Sequence, residues 1–318
     1  MYTFMCRLTF SVFLFTSIVC AEGTSATYGT DIVIDKKLFD NGSNSNLDDV
    51  YGRAMLNPKY ESSTFEAVIL LYFYPEGFGY KVLHTNEDSS TSAMDIGKLQ
   101  IWQAYGMVKS KNVDLLFGRN LVVNTCAIHF GNYIDEEAGG YFTGKGLFEN
   151  CVEGRFRIGE NNKLAVQFGT EDTKLNTGYL RVWNDYVLSN KMSIGAGYRS
   201  NFFDVVANDN AIILHNFALN LCYKPTETMT IYSETGFRNI NQPNGKVDVP
   251  TVLGCMMPLG FVDCAALEVE YYTNRDGKVQ YALNFTKTFM KIVSTTLELY
   301  TDTKAGEPSL SFRVATTF

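Results

Sequence analysis

The chain has 318 residues, is 46% hydrophobic and 14% aromatic, and carries only 19% charged side chains for a formal net charge of −7. That balance excludes disordered, collagen-like and coiled-coil chains, because so much apolar surface can be buried. The acidic balance argues against a nucleic-acid partner, and the averages leave two classes standing: a large soluble domain and a transmembrane β-barrel.

The first element is residues 1–21, MYTFMCRLTFSVFLFTSIVCA. Arg7 precedes an apolar stretch from Leu8 to Val19, and Val19-Cys20-Ala21 offers small residues for cleavage. This pattern predicts a secretory signal peptide cut after Ala21. Its core of about 12 apolar residues is too short to span a bilayer. Cleavage removes one cation, Arg7, so the mature chain is more acidic still. It also removes Cys6 and Cys20, leaving Cys126, Cys151, Cys222, Cys255 and Cys264. An odd number of thiols is not a disulfide framework.

Beyond residue 21 the longest wholly apolar run is Ala67 to Tyr74. It falls far short of the roughly 18 residues a spanning helix needs. Being apolar on both faces, it reads as a strand packed on both sides, for instance at a subunit contact.

The following segments alternate with period two, the signature of strands. Phe148, Val152, Phe156 and Ile158 interleave with Glu149, Glu153, Arg155 and Arg157. Leu164, Val166 and Phe168 interleave with Lys163, Ala165 and Gln167. Leu180, Val182 and Tyr186 interleave with Arg181, Trp183 and Asp185. Met192–Arg199, Asn216–Tyr223, Gln280–Thr286 and Thr296–Tyr300 repeat the pattern. The last ten residues, Ser309–Phe318, place Leu310, Phe312, Val314 and Phe318 on one face.

Tight polar links such as Lys109–Asn112, Gly159–Asn162 and Ser189–Lys191 are interleaved with longer ones, including Asn41–Asp49, His84–Gly97, Val123–Gly144 and Arg238–Lys246. Short links at one end and long links at the other predict an all-β, transmembrane antiparallel β-barrel over residues 22–318. Counting segments of about ten residues gives about 16 strands, with 14 the next choice. A β-sandwich would also alternate. Consecutive hairpins and tyrosines near strand ends (Tyr72, Tyr179, Tyr198, Tyr223, Tyr271, Tyr300) favour the barrel. The polar parity places Glu153, Glu234, Glu268, Glu270 and Glu298, and Arg155, Arg181, Arg199 and Arg313, toward the lumen.

Three patches carry a resemblance. They are Tyr51-Gly52-Arg53, Phe117-Gly118-Arg119-Asn120 before the long link, and Gly144-Lys145-Gly146 after it. In this order, with Leu164-Ala165-Val166-Gln167-Phe168 and the terminal Phe318, the chain resembles the general, non-specific porins of Gram-negative outer membranes. The resemblance implies that the third external loop, residues 122–144, folds inward as a constriction. Arg53, Arg119 and Lys145 would then form its basic wall, and Asp135, Glu136 and Glu137 its acidic side. If Leu115 and Phe117 face lipid, Arg119 needs a bulge at Gly118 to point inward. The resemblance further implies an outer-membrane location, lipid contact, a homotrimer, and Phe318 as the signal read by barrel assembly machinery.

The remaining signals are weaker. His84, His129 and His215 accompany no nucleophile elbow, and no Gly-rich phosphate loop or zinc spacing occurs. No catalysis, metal or cofactor is expected. Cys255 and Cys264 flank Pro258-Leu259-Gly260-Phe261. A two-residue turn at Leu259-Gly260 would set them directly opposite, as candidates for a cross-strand disulfide, or simply as two small residues. The expected function is passive diffusion of small hydrophilic solutes and ions, with mild cation preference. The alternatives are a channel specific for a sugar or anion, with Tyr179, Trp183 and Tyr232 as an aromatic track, and a non-conducting adhesin or anchor.

Overall fold

The alternating segments form sixteen antiparallel strands in the computed structural model. In chain order they are β1 (Thr24–Lys37), β2 (Asp49–Glu61), β3 (Phe65–Phe73), β4 (Leu99–Val108), β5 (Val113–Val122) and β6 (Gly146–Ile158). Next come β7 (Asn162–Thr170), β8 (Gly178–Ser189), β9 (Met192–Ser200), β10 (His215–Tyr223) and β11 (Thr230–Phe237). The last are β12 (Thr251–Leu259), β13 (Val262–Tyr272), β14 (Lys278–Phe289), β15 (Val293–Asp302) and β16 (Ser309–Thr317). The structure describes residues 23–37, 49–73, 99–122, 146–170, 178–200, 215–237, 247, 249–272, 278–302 and 308–317. The leader 1–21, loop residues 123–144, Asp135, Glu136, Glu137, Lys145, His84, His129, Cys126 and Phe318 lie outside them.

Each strand pairs with its sequence neighbours, and β1 pairs with β16, so the sheet closes on itself. Closure leaves no strand edge with unpaired backbone groups, which is the condition for a sheet to sit in hydrocarbon. At one end the strands are joined by short turns, 62–64, 109–112, 159–161, 190–191, 224–229, 260–261 and 290–292. At the other end the links include 38–48, 74–98, 123–145 and 201–214.

The burial pattern is that of a barrel wall turned inside out. In β10, Ala218, Asn220 and Cys222 are buried while Phe217, Leu219, Leu221 and Tyr223 are exposed. Across the sheet Leu219 is 59% and Leu253 55% exposed, whereas Arg181, Glu268 and Glu298 are 0% exposed. A water-soluble sandwich would reverse that order. An apolar outer face with polar residues inside is what a bilayer selects. Even β3, apolar along most of its length, alternates: Glu66, Val68 and Leu70 are buried, and Phe65 and Ile69 are exposed.

At the short-turn rim, polar side chains tie neighbouring hairpins together. Lys59 bridges Glu61 at 2.7 Å and Glu66 at 3.2 Å, and Lys109 contacts both carboxylates, Glu66 at 3.1 Å. The hydrogen bond to Glu61 holds the Lys109 ammonium above its ordinary pKa. On the outer wall, Lys287 bridges Asp263 at 2.7 Å.

Two local features differ from simple alternation. Gly118 adopts φ 126°, and a side chain there would overlap the Ala104 carbonyl oxygen. Only glycine accepts that conformation at low cost. The second concerns the β12–β13 hairpin. Its turn is Gly260-Phe261, one residue later than Leu259-Gly260, and the register shifts again between Met257 and Leu259. Cys255 therefore faces Leu267, and Cys264 pairs along β14 with Thr286. Cys255 shares the parity of exposed Leu253 and Met257, Cys264 that of buried Ala266 and Glu268. The two thiols lie on opposite faces and are free, which corrects the proposed cross-strand disulfide.

Candidate functional site: the charged lumen

The lumen face of β6–β9 is rich in cations. Alternation turns Arg155, Arg157, Lys163, Arg181 and Arg199 inward, accompanied by the carboxylates Glu153 and Asp185. Glu153, Gln167, Arg181 and Arg199 occupy one row, each aligned with the next across β6, β7, β8 and β9.

Two aromatics seat the central guanidiniums. The Arg181 guanidinium carbon lies 3.8 Å from the Trp183 ring centre, and that of Arg199 lies 4.3 Å from Tyr179. An arginine over an aromatic face is held by the ring quadrupole and is less dependent on water. Both rings are thus occupied on one face by a cation. Nearby, Glu153 accepts hydrogen bonds from Arg155 Nε and, at 3.4 Å, from Asn120 Nδ2.

The lumen face of β11–β15 has the opposite sign. Glu234, Glu268, Glu270 and Glu298 are all buried there. Asn220 Nδ2 donates to Glu234 at 3.5 Å, and Tyr232 Oη donates to Glu268. The Tyr232 ring spans the gap left by Gly254, where any Cβ would collide with it. Gly254 aligns with Tyr232 on one side and Glu268 on the other, so the missing side chain is what lets the phenol reach the carboxylate.

Halfway round a ring of sixteen strands, β14 lies opposite β6 and β15 opposite β7. Glu298 of β15 therefore stands across the barrel from the β7 strand of Lys163, whereas Arg181 of β8 stands across from β16 and Arg199 of β9 from β1. The carboxylate strip lies beside the cationic one, beginning two strands beyond β9. Arcs of opposite sign in a low-dielectric shell set up a field across the lumen.

The sequence candidates fall as follows. Glu153, Arg155, Arg181, Glu234, Glu268 and Glu298 are all on the lumen parity, and five of them are buried, Arg155 being half-buried. For Arg53, described by its backbone, the register partner is Asp31 in β1. Arg119 aligns with Ala104 and shares the parity of exposed Leu115 and Phe117, while Asn120 is buried on the lumen side. The register does shift between Gly118 and Asn120, and the additional residue is in β6, between Phe148 and Cys151. Asp114, Asn120, Arg157 and Lys163 also share the lumen parity, beyond the candidates drawn from the sequence. Lys163 and Arg157 had the lumen parity legible in their alternation. His215 accepts or donates a hydrogen bond at 2.8 Å with the Tyr198 hydroxyl, beside exposed Phe217.

Solved structures of porins share this architecture. A mutant of the Rh. blastica porin matches with TM-score 0.65 at 14% identity, over 93% of this chain and 100% of that one. A second mutant of the same porin gives TM-score 0.66 at 13% identity, with the same coverage of 93% and 100%. A loop-deletion mutant of OmpT, an outer membrane protein of Vibrio cholerae, gives TM-score 0.63 at 9% identity, again over 93% and 100%. The chain has the porin fold. No family model and no curated protein sequence matches it.

Proposed function

We propose that this chain is an outer-membrane channel for passive diffusion of small hydrophilic solutes and ions. The observation that carries the reading is the lumen itself: Arg155, Arg181 and Arg199 on one arc of the wall, and Glu234, Glu268, Glu270 and Glu298 on the next, inside a closed barrel. A barrel serving only as an anchor has no use for a charged interior, since buried charge is costly. Water and ions in the lumen solvate such side chains. A polar solute exchanges hydration for these groups, whereas an apolar solute must separate the charges from water.

The same reading keeps residues 122–144 as the constriction, with Asp135, Glu136 and Glu137 facing Arg53 and Lys145. Arg155 and Arg181 take the part that the resemblance gave to Arg119. Residues 1–21 direct export, Phe318 marks the last strand for assembly, and three copies associate in the outer membrane. No catalytic or cofactor role is assigned. A sugar track along Tyr179 and Trp183 is disfavoured by the guanidiniums that cover them.

Liposome swelling tests the proposal. Vesicles carrying the protein should swell in isosmotic small sugars, with rates that fall steeply as solute size grows. Swelling no faster than in protein-free vesicles would overturn it.

A further inference from the structure

Two neighbouring turns at the short-turn rim differ in kind from the rest. The turns 62–64, 109–112, 159–161, 190–191 and 224–229 are built from Ser, Thr, Asn, Glu, Lys, Gly and Pro, save for half-buried Met229. Between β12 and β13 the turn is instead Gly260-Phe261, and between β14 and β15 it is Met290-Lys291-Ile292. Because β13 pairs with β14, the two turns are adjacent. Their tips are the most exposed large apolar side chains among the described residues, Phe261 at 72% and Met290 at 83%. Leu259, Phe289 and Ile292 stand exposed beside them. Met290 and Lys291 have φ 51° and 61°, and the Ile292 N–H donates to the Phe289 carbonyl at 3.1 Å. A turn of that geometry favours Asn-Gly, so turn chemistry does not account for a methionine at its tip.

The reach of the outer wall says what lies against these tips. Tyr271 is exposed near the long-link end of β13, and Phe261 precedes it by ten positions. At about 3.3 Å per residue and a strand tilt of about 40°, that span covers roughly 25 Å, the height of the apolar band on a membrane barrel. Val279, directly opposite Tyr271, is separated from Phe289 by the same span. A band that stopped at the Asp263–Lys287 ion pair on the outer wall would fall about 5 Å short. On β8 an equal span, Gly178 to Leu188, ends inside the strand, and the turn beyond it is the polar Asn190-Lys191. The turns of β12–β15 thus complete an apolar wall that β8 completes with its strand alone.

We propose that the rim of β12–β15 docks into the phospholipid leaflet on the short-turn side. Phe261, Phe289 and Met290 insert among the acyl chains nearest the headgroups, and Lys291, exposed at the same tip, lies against the phosphates. The patch is continuous with the lipid-facing wall, and a leaflet covers it without any further partner. The surface rests on the membrane placement in the channel reading and not on conduction.

The experiment places the full chain in phosphatidylcholine vesicles whose acyl chains carry bromine, a quencher of tryptophan emission. Phe261→Trp is compared with Asn190→Trp, each read as the difference from the parent chain with its two native tryptophans. Phe261→Trp should emit at shorter wavelength and lose intensity in the brominated vesicles. Asn190→Trp should lose intensity only to acrylamide in the water. Acrylamide quenching at residue 261 equal to that at residue 190, or bromine quenching equal at both, would overturn the docking. Failure of the channel reading would instead appear as absent swelling with bromine quenching at residue 261 intact.

Discussion

Arg181 and Arg199 stand directly opposite each other across β8 and β9, both buried on the lumen face. Like charges in that arrangement repel. Here each guanidinium is seated on an aromatic, Trp183 or Tyr179, and the carboxylates Glu153 and Asp185 share the same walls. The pair concentrates positive potential on one side of the lumen.

Replacing both with Arg181→Gln and Arg199→Gln should make the channel more cation-selective. Removing a lumen charge at an intermediate dielectric is worth roughly 1 kcal/mol, on the order of fivefold in the permeability ratio. Reversal potentials in a salt gradient measure it.

The carboxylate wall should respond in the opposite sense. Glu268→Gln with Glu298→Gln removes two buried carboxylates from β13 and β15. Cation preference should fall by a comparable factor, read by the same reversal potential. Tyr232→Phe, which removes only the hydrogen bond to Glu268, should leave the sign of selectivity unchanged.

Gly254 is predicted to be a stability position. Val at residue 254 would collide with the Tyr232 ring, an overpacking that costs about 1–3 kcal/mol. Urea unfolding of the barrel in vesicles should register the loss. Tyr232→Ala in the same chain should recover most of it, because the two effects share one contact.

The cysteines make a covalent prediction. Cys255 and Cys264 lie on opposite faces, and Cys255 aligns with Leu267. A digest of the unreduced protein should contain no peptide linking residues 255 and 264. Finding that linkage in most of the folded protein would contradict the register of the hairpin.

Much of this barrel was legible in the sequence because one physical cause writes the whole pattern. Lipid on one side and polar contents on the other forces alternation, so Lys163, Ala165 and Gln167 separated cleanly from Leu164, Val166 and Phe168. The strand count followed from segment lengths. Positions that depend on a local irregularity were not legible. Glycine suits either two-residue turn at 259–261, and the choice moves Cys255 three residues from Cys264's partner position. At Gly118 the shift occurs where alternation called for it, yet the additional residue falls in the partner strand β6. Long-range relations were also hidden. That the cations of β6–β9 and the carboxylates of β11–β15 line one lumen requires knowing that sixteen strands close. The contact of Tyr232 with Glu268 requires seeing that Gly254 stands between them in register.

The central claim is that the charged lumen conducts. Purified protein in a planar bilayer tests it most directly. The account predicts steady conductance steps that scale with salt concentration, with a reversal potential of mild cation preference. Absence of steps across independent preparations of folded protein would contradict it, and a clear anion preference would overturn the expected sign of selectivity.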